Sequence, residues 1–119
     1  MNVSPLAPAS FPDLPAIRGV RLTTARCGMK YQSRDDLMAM LIDPGSHVAG
    51  VFTKSDTAAA AVRWSRERCS NSTARAIITN AGNANAFTGE HGMQDVVTLC
   101  TGFAAHIGAK DEDVLIAST

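Results

Sequence analysis

The sequence carries no excess of charge of either sign, since eleven Lys and Arg balance eleven Asp and Glu. Nucleic-acid-binding domains and proteins that lie on anionic membranes normally show a basic stripe or face, so neither partner class is expected. Long apolar runs are missing as well, and nothing approaches the roughly 18 residues that a bilayer-spanning helix requires. The opening segment Met1–Ile17 lacks both the basic patch and the unbroken apolar stretch of a secretory signal, so the expected compartment is the cytoplasm. Cysteine is sparse: Cys27, Cys69 and Cys100 form no CxxC pair and share no ligand spacing with His47, His91 or His106. They read as reduced, mostly buried small hydrophobes, not as a disulfide frame or a metal site. Tyr31 and Trp64 are the only large polar-edged aromatics, too few for a base-stacking platform. Phosphate-binding glycine motifs and the GxSxG elbow are absent too, which weakens nucleotide and hydrolase-elbow readings.

What is present fits one globular α/β domain. Hydrophobic residues make up 45% of the chain and charged residues 18%, an ordinary balance for a packed core. Residues 1–16 hold four of the five prolines (Pro5, Pro8, Pro12, Pro15) and form an extended lead-in; the domain proper spans 17–119. Gly19–Arg26 alternates with β-branched residues and predicts a strand. Leu37–Ile42 and Val48–Thr53 flank the turn Asp43-Pro44-Gly45, which predicts a hairpin of two strands buried on both faces. Ser55 and Asp56 suit the start of a helix over about 57–68, and Ala74–Thr79 reads as another strand. Met93, Val96, Val97, Cys100, Phe103, Ala104 and Ile107 fall on one helical stripe, closed by Gly108. Val114–Ala117 starts a final strand. The order β–ββ–α–β–α–β implies a layered sheet-and-helix domain.

Chemistry is best sought in the segment Asn80–Gly89, a loop between a strand and a helix, where α/β proteins commonly place ligands. Asn80, Asn83 and Asn85 offer carboxamides, Gly82 and Gly89 allow close backbone approach, and the next helix start could face an anion. The plainer alternative is that Asn and Gly only shape a tight loop, each side chain serving nearby backbone. Cys100 lies on the apolar stripe and reads as core. Asp35-Asp36 and Asp111–Asp113 sit in polar turns and read as solvated surface. Ser118-Thr119 puts hydroxyls at a strand end, where they could aim at a reacting carbonyl.

Three stretches carry a family resemblance. Phe11-Pro12-x-Leu14-Pro15-x-Ile17-x-Gly19-Val20-Arg21-Leu22, followed by Val51-Phe52-Thr53, resembles the N-terminal region of the ornithine acetyltransferase (glutamate N-acetyltransferase) family. Ala74–Gly89 is similar to that family's most recognisable block, which usually reads N-S-G-N-A-N-A-x-T-G. Asp113–Thr119 looks like the start of its S-T-G-V-I-G stretch. Ala81 stands where the family usually has Ser, and Ala58–Ala61 replaces a segment that commonly contains proline.

The resemblance implies a Thr-nucleophile α/β fold and a role in arginine biosynthesis. It implies a precursor that cuts itself into α and β chains, assembling as two of each, with the freed Thr of the β chain as nucleophile. Acetyl would pass from N-acetylornithine to glutamate by a ping-pong route; some members also accept acetyl-CoA, and no cofactor is implied. Thr119 matches the Thr of an oxyanion-hole Thr-Gly pair whose Gly would be the next residue. The nucleophile and the family's K-G-A-G and A-T-M-L segments would lie beyond Thr119, so the 119-residue chain alone is expected to transfer no acetyl groups. A strand ending there is also expected to leave unpaired edges and bare apolar surface. Two other readings stay open: a non-catalytic binding or regulatory module, and an aminopeptidase-like hydrolase suggested by fold analogy.

Overall fold

Four strands build one sheet in the order β1 (Val20–Ala25), β2 (Leu37–Ile42), β3 (Ala76–Asn80) and β4 (Val114–Ser118). A computed structural model describes residues 4–119; the first three residues of the expected lead-in lie outside the described residues. From Ser4 to Arg18 the lead-in forms neither helix nor strand, as its prolines require. β1 and β2 run antiparallel, as do β2 and β3, whereas β3 and β4 are parallel. Helix α1 (Ala60–Cys69) precedes β3, and α2 (Gly89–Ile107) makes the crossover that the parallel pair needs. The expected layered α/β architecture is therefore what the chain adopts.

The expected hairpin is not. β2 pairs with β1 on one edge and β3 on the other, so no edge remains for Val48–Thr53. That segment runs without regular structure: the Val48 amide donates to the Ser72 carbonyl beside an isolated bridge from His47 to Thr73, Arg66 donates to the Thr53 carbonyl, and Val51 is 99% exposed. Its β-branched residues mimic a strand, but pairing sites decide the outcome. Helix α1 also starts later than expected. Ser55 and Asp56 do not cap it; the Ser55 hydroxyl instead accepts the Thr57 amide in a local turn, and Ala59 precedes the helix without a side-chain cap. In α2 the stripe Val96, Cys100 and Ala104 is buried as expected, Gly92 joins it, and Val97 turns outward at 42% exposure. Gly108 closes the helix in the left-handed region at φ 66°, and the Ala109 amide donates to the Ala104 carbonyl.

Strand alternation sorts the sheet into two faces. Leu37 and Leu41, Ala76 and Ile78, and Val114 and Ile116 point at the helices, which meet them with Trp64, Val96, Cys100 and Ala104. Small residues such as Ala60, Ala61 and Ala76 let helix and strand approach closely. Burial pushes the Cys100 thiol up to about 12, so it stays a neutral packing group. On the opposite face lie Leu22, Met38, Met40, Ile42 and Ile77, and both helices pack on the other side. The expectation of cover on both faces is met only in part within the described residues: on this second face Leu115 is 6% exposed but Leu22 is 67% exposed.

The outer edge of β4, in contrast, is closed. The Ile116 amide donates to the Ser65 hydroxyl at 2.8 Å, and that hydroxyl donates to the Ile116 carbonyl at 2.7 Å. The Trp64 indole N–H donates to the Val114 carbonyl at 2.8 Å. Side chains of α1 therefore stand where a fifth strand would, and the unpaired edge expected at the final strand is absent. Replacing Ser65 by Ala should leave the buried Ile116 N–H without a partner and lower stability by about 1–3 kcal/mol. Urea denaturation checks this, and an unchanged midpoint would contradict it.

Candidate functional site

The segment after β3 folds back onto the end of β4. The Thr119 amide donates to the Asn80 carbonyl at 3.0 Å, and the Gly82 amide donates to the Thr119 carbonyl at 2.7 Å. Gly82 sits at φ +99°, a left-handed conformation that side chains avoid. The Asn85 amide donates to the Ser118 hydroxyl at 2.9 Å, and the Asn80 carboxamide donates to the Asn83 carbonyl at 3.1 Å. The Asn85 carboxamide donates to the Gly92 carbonyl at 2.7 Å and accepts from the Thr88 hydroxyl. A Cβ at Gly92 would overlap both the Thr88 hydroxyl and the Asn85 oxygen. Of the two readings of this loop, the shaping role is the one these bonds describe. The following helix start already carries Glu90 in its first turn, which meets the positive end of the dipole.

A cavity of about 220 Å³ opens on the helix side of this loop, lined by Met29, Asn80, Asn85, Thr88, Asp95 and Ser118 among others. Thr119 is not among them. Val114, Ile116 and Ser118 face the helices, so continued alternation past β4 directs Thr119 to the opposite face together with the buried Leu115 and the exposed Ala117. Both Thr119 main-chain groups are engaged, while its exposed hydroxyl makes no hydrogen bond among the described residues. Among the described residues no three His, Cys, Asp or Glu side chains gather as metal ligands would.

Asp36 overturns its reading as solvated surface. It is 1% exposed, and its carboxylate accepts the amides of Cys27 and Met29, each at 2.7 Å. Its carbonyl accepts the Ala81 amide at 2.8 Å, tying the strand start to the loop after β3. The amide of Cys27 above all, with those of Met29 and Lys30, holds the carboxyl below its ordinary value against the opposing push of burial. A signal was present in the sequence: an Asp joined to an apolar strand, following a loop with Gly28, suits a carboxylate gripping backbone amides. Asp35, by comparison, is exposed and accepts from the Thr24 hydroxyl. Of the Asp111–Asp113 trio, Asp111 is half-buried and pairs with Arg68 at 3.6 Å.

The amide grip sets the course of the loop from Cys27 to Tyr31. The Tyr31 ring lies against Gly82, where a Cβ would come within 2.5 Å of Cε2, and the Arg34 guanidinium stacks 3.6 Å from the ring centre. Gly82→Ala should therefore cost about 1–3 kcal/mol through strain and collision with Tyr31. Gly102→Ala, in mid-helix with open space around it, should instead stabilise by up to about 1 kcal/mol. Thermal melts of the two variants check the opposite signs.

The Asp36 contribution has a definite pH window. Its folded value lies below the unfolded one of about 3.9, so the stabilisation is complete above that pH and fades as acid protonates the folded carboxylate. The stability gap between the parent chain and Asp36→Asn should be flat from neutral pH down to about 4 and close below it. A gap that widens in acid would reverse the assignment.

A sequence model of the ArgJ family matches residues 21–119. The chain is 44% identical over 118 residues to the arginine biosynthesis bifunctional protein ArgJ of Bradyrhizobium diazoefficiens, covering 99% of this chain and 29% of that protein. It is 46% identical over 117 residues to the ArgJ of Agrobacterium fabrum, covering 98% of this chain and 28% of the other. The chain thus spans less than a third of the length of these relatives. Among solved structures, ornithine acetyltransferase from Mycobacterium tuberculosis, complexed with ornithine, superposes with a TM-score of 0.81 at 30% identity, covering 86% of this chain and 56% of that one. The ArgJ protein of Bacillus halodurans gives 0.80 at 28%, covering 86% and 53%.

Proposed function

This chain belongs to the ArgJ family, and from that premise we propose that it is the N-terminal part of a glutamate N-acetyltransferase moving acetyl from N-acetylornithine to glutamate. The identity to curated arginine-biosynthesis proteins and the ornithine held by a structural relative support the substrate class. Acetyl-CoA is a second donor that some members of such a family accept, and no cofactor is called for. The partner is the β chain of the same precursor, in an assembly of two α and two β chains.

One observation carries the assignment of Thr119 to the oxyanion hole. Its amide and carbonyl are fixed by Asn80 and Gly82, which leaves the hydroxyl as its one free donor, exposed just past β4 on the face of the sheet away from the helices. In the proposed reaction a Thr of the β chain attacks the acetyl carbonyl carbon, and negative charge gathers on the carbonyl oxygen. The Thr119 hydroxyl donates a hydrogen bond to that oxygen. Collapse of the intermediate breaks the C–N bond, the ornithine amine leaves with a proton, and the glutamate amine then takes acetyl from the acyl-enzyme.

In the full-length protein Thr119→Ala should lower kcat for N-acetylglutamate formation by roughly 10²–10³-fold, while Thr119→Ser keeps most of it. Full activity in the Ala variant would remove Thr119 from the site. Acetate release without N-acetylglutamate would replace transfer by hydrolysis.

A further inference from the structure

We propose that Asp36 is a positioning residue for Thr119, holding in place the loop after β3 to which the Thr119 main chain is bonded and the 27–31 loop that backs it. The proposal rests on the acetyl-transfer reading above. Asp36 reaches Thr119 by two routes. On the first, its carbonyl takes the Ala81 amide, and the flanking residues bind Thr119 directly: Asn80 accepts its amide and Gly82 donates to its carbonyl. On the second, its carboxylate grips the amides of Cys27 and Met29, which brings Tyr31 against Gly82 from behind. Gly82 is thus trapped between an aromatic ring and the strand end it holds. A hydroxyl that stabilises an oxyanion must stay within about 0.5 Å of its productive place, and Thr119 lies just past β4, held by the bonds of its main chain to Asn80 and Gly82.

Asp36→Asn keeps the size of the side chain but turns one acceptor into a donor facing a backbone amide. The 27–31 loop should loosen, Tyr31 should lose its purchase on Gly82, and the Thr119 hydroxyl should sample unproductive positions. A residue that served only stability would lower the melting temperature without reporting on Thr119. A double-mutant cycle in the full-length protein, assayed well below its melting temperature, separates the two.

With Thr119 intact, Asp36→Asn should lower kcat about ten- to a hundredfold with KM changed less than about twofold. In the Thr119→Ala background the same substitution should lower kcat less than about twofold, since the group it positions is already gone. Equal losses in both backgrounds would overturn the proposal, as would a lowered melting temperature with kcat unchanged. Should Asp36→Asn fail to fold, Tyr31→Ala enters the same cycle with the same expected pattern. If the parent protein makes no N-acetylglutamate, the functional reading fails by itself. Amide hydrogen exchange at Gly82 and Thr119 then still decides the clamp: faster exchange in Asp36→Asn supports it, and unchanged exchange refutes it.

Discussion

An edge strand buried beside a helix must have its outward amides and carbonyls satisfied, and in this chain the Ser65 hydroxyl and the Trp64 indole meet that requirement for β4. The pair of bonds between Ser65 and Ile116 imitates one rung of a strand ladder. With that rung in place β4 lies between β3 and α1, and the helix is fixed at an angle that brings Ala60, Ala61 and Trp64 onto Val114 and Ile116. The stripe of α2 then closes the remaining side of the core. Because buried unpaired donors are costly, this single hydroxyl constrains the register of the helix more tightly than its apolar face could.

A second buried polar group organises the other end of the sheet. Asp36 stands at the start of β2, between the β1–β2 loop and the loop after β3, and its carboxylate and carbonyl serve both. Neither loop has a hydrophobic core of its own. They are shaped by hydrogen bonds, and by the placement of Gly82 and Gly92 where a side chain would collide. The site therefore inherits its geometry from polar contacts, while the apolar core mainly fixes the strands behind it.

Local pattern made some of this legible in the sequence. The stripe in α2 and its glycine stop are short-range features, and the strands at Val20, Leu37, Ala76 and Val114 announce themselves by composition. The Val48–Thr53 segment misleads because strand propensity says nothing about whether an edge is free to pair. Asp36 misleads for a related reason: beside Arg34 and Asp35 it reads as one more polar residue, and only the backbone path of Cys27 to Met29 buries it. The Asn80–Gly89 block carries the family resemblance, yet the carboxamides of Asn80 and Asn85 serve neighbouring backbone carbonyls. The role proposed for Thr119 rests mainly on resemblance, since a hydroxyl at a strand end points to a reacting carbonyl only weakly and has no distinctive spacing.

Ser118 and Thr119 are neighbours in sequence that stand on opposite sides of the sheet. Ser118 belongs to the hydrogen-bonded loop and its 220 Å³ cavity, and Thr119 to the face proposed for acetyl transfer. The sheet accordingly works as a partition. On that proposal, a small molecule lodged in the cavity lies across the sheet from the Thr119 hydroxyl and reaches it through the backbone of β4. Variation in the loop, such as Ala81, is insulated from the chemistry in the same way, provided the amides and carbonyls around Thr119 stay where they are.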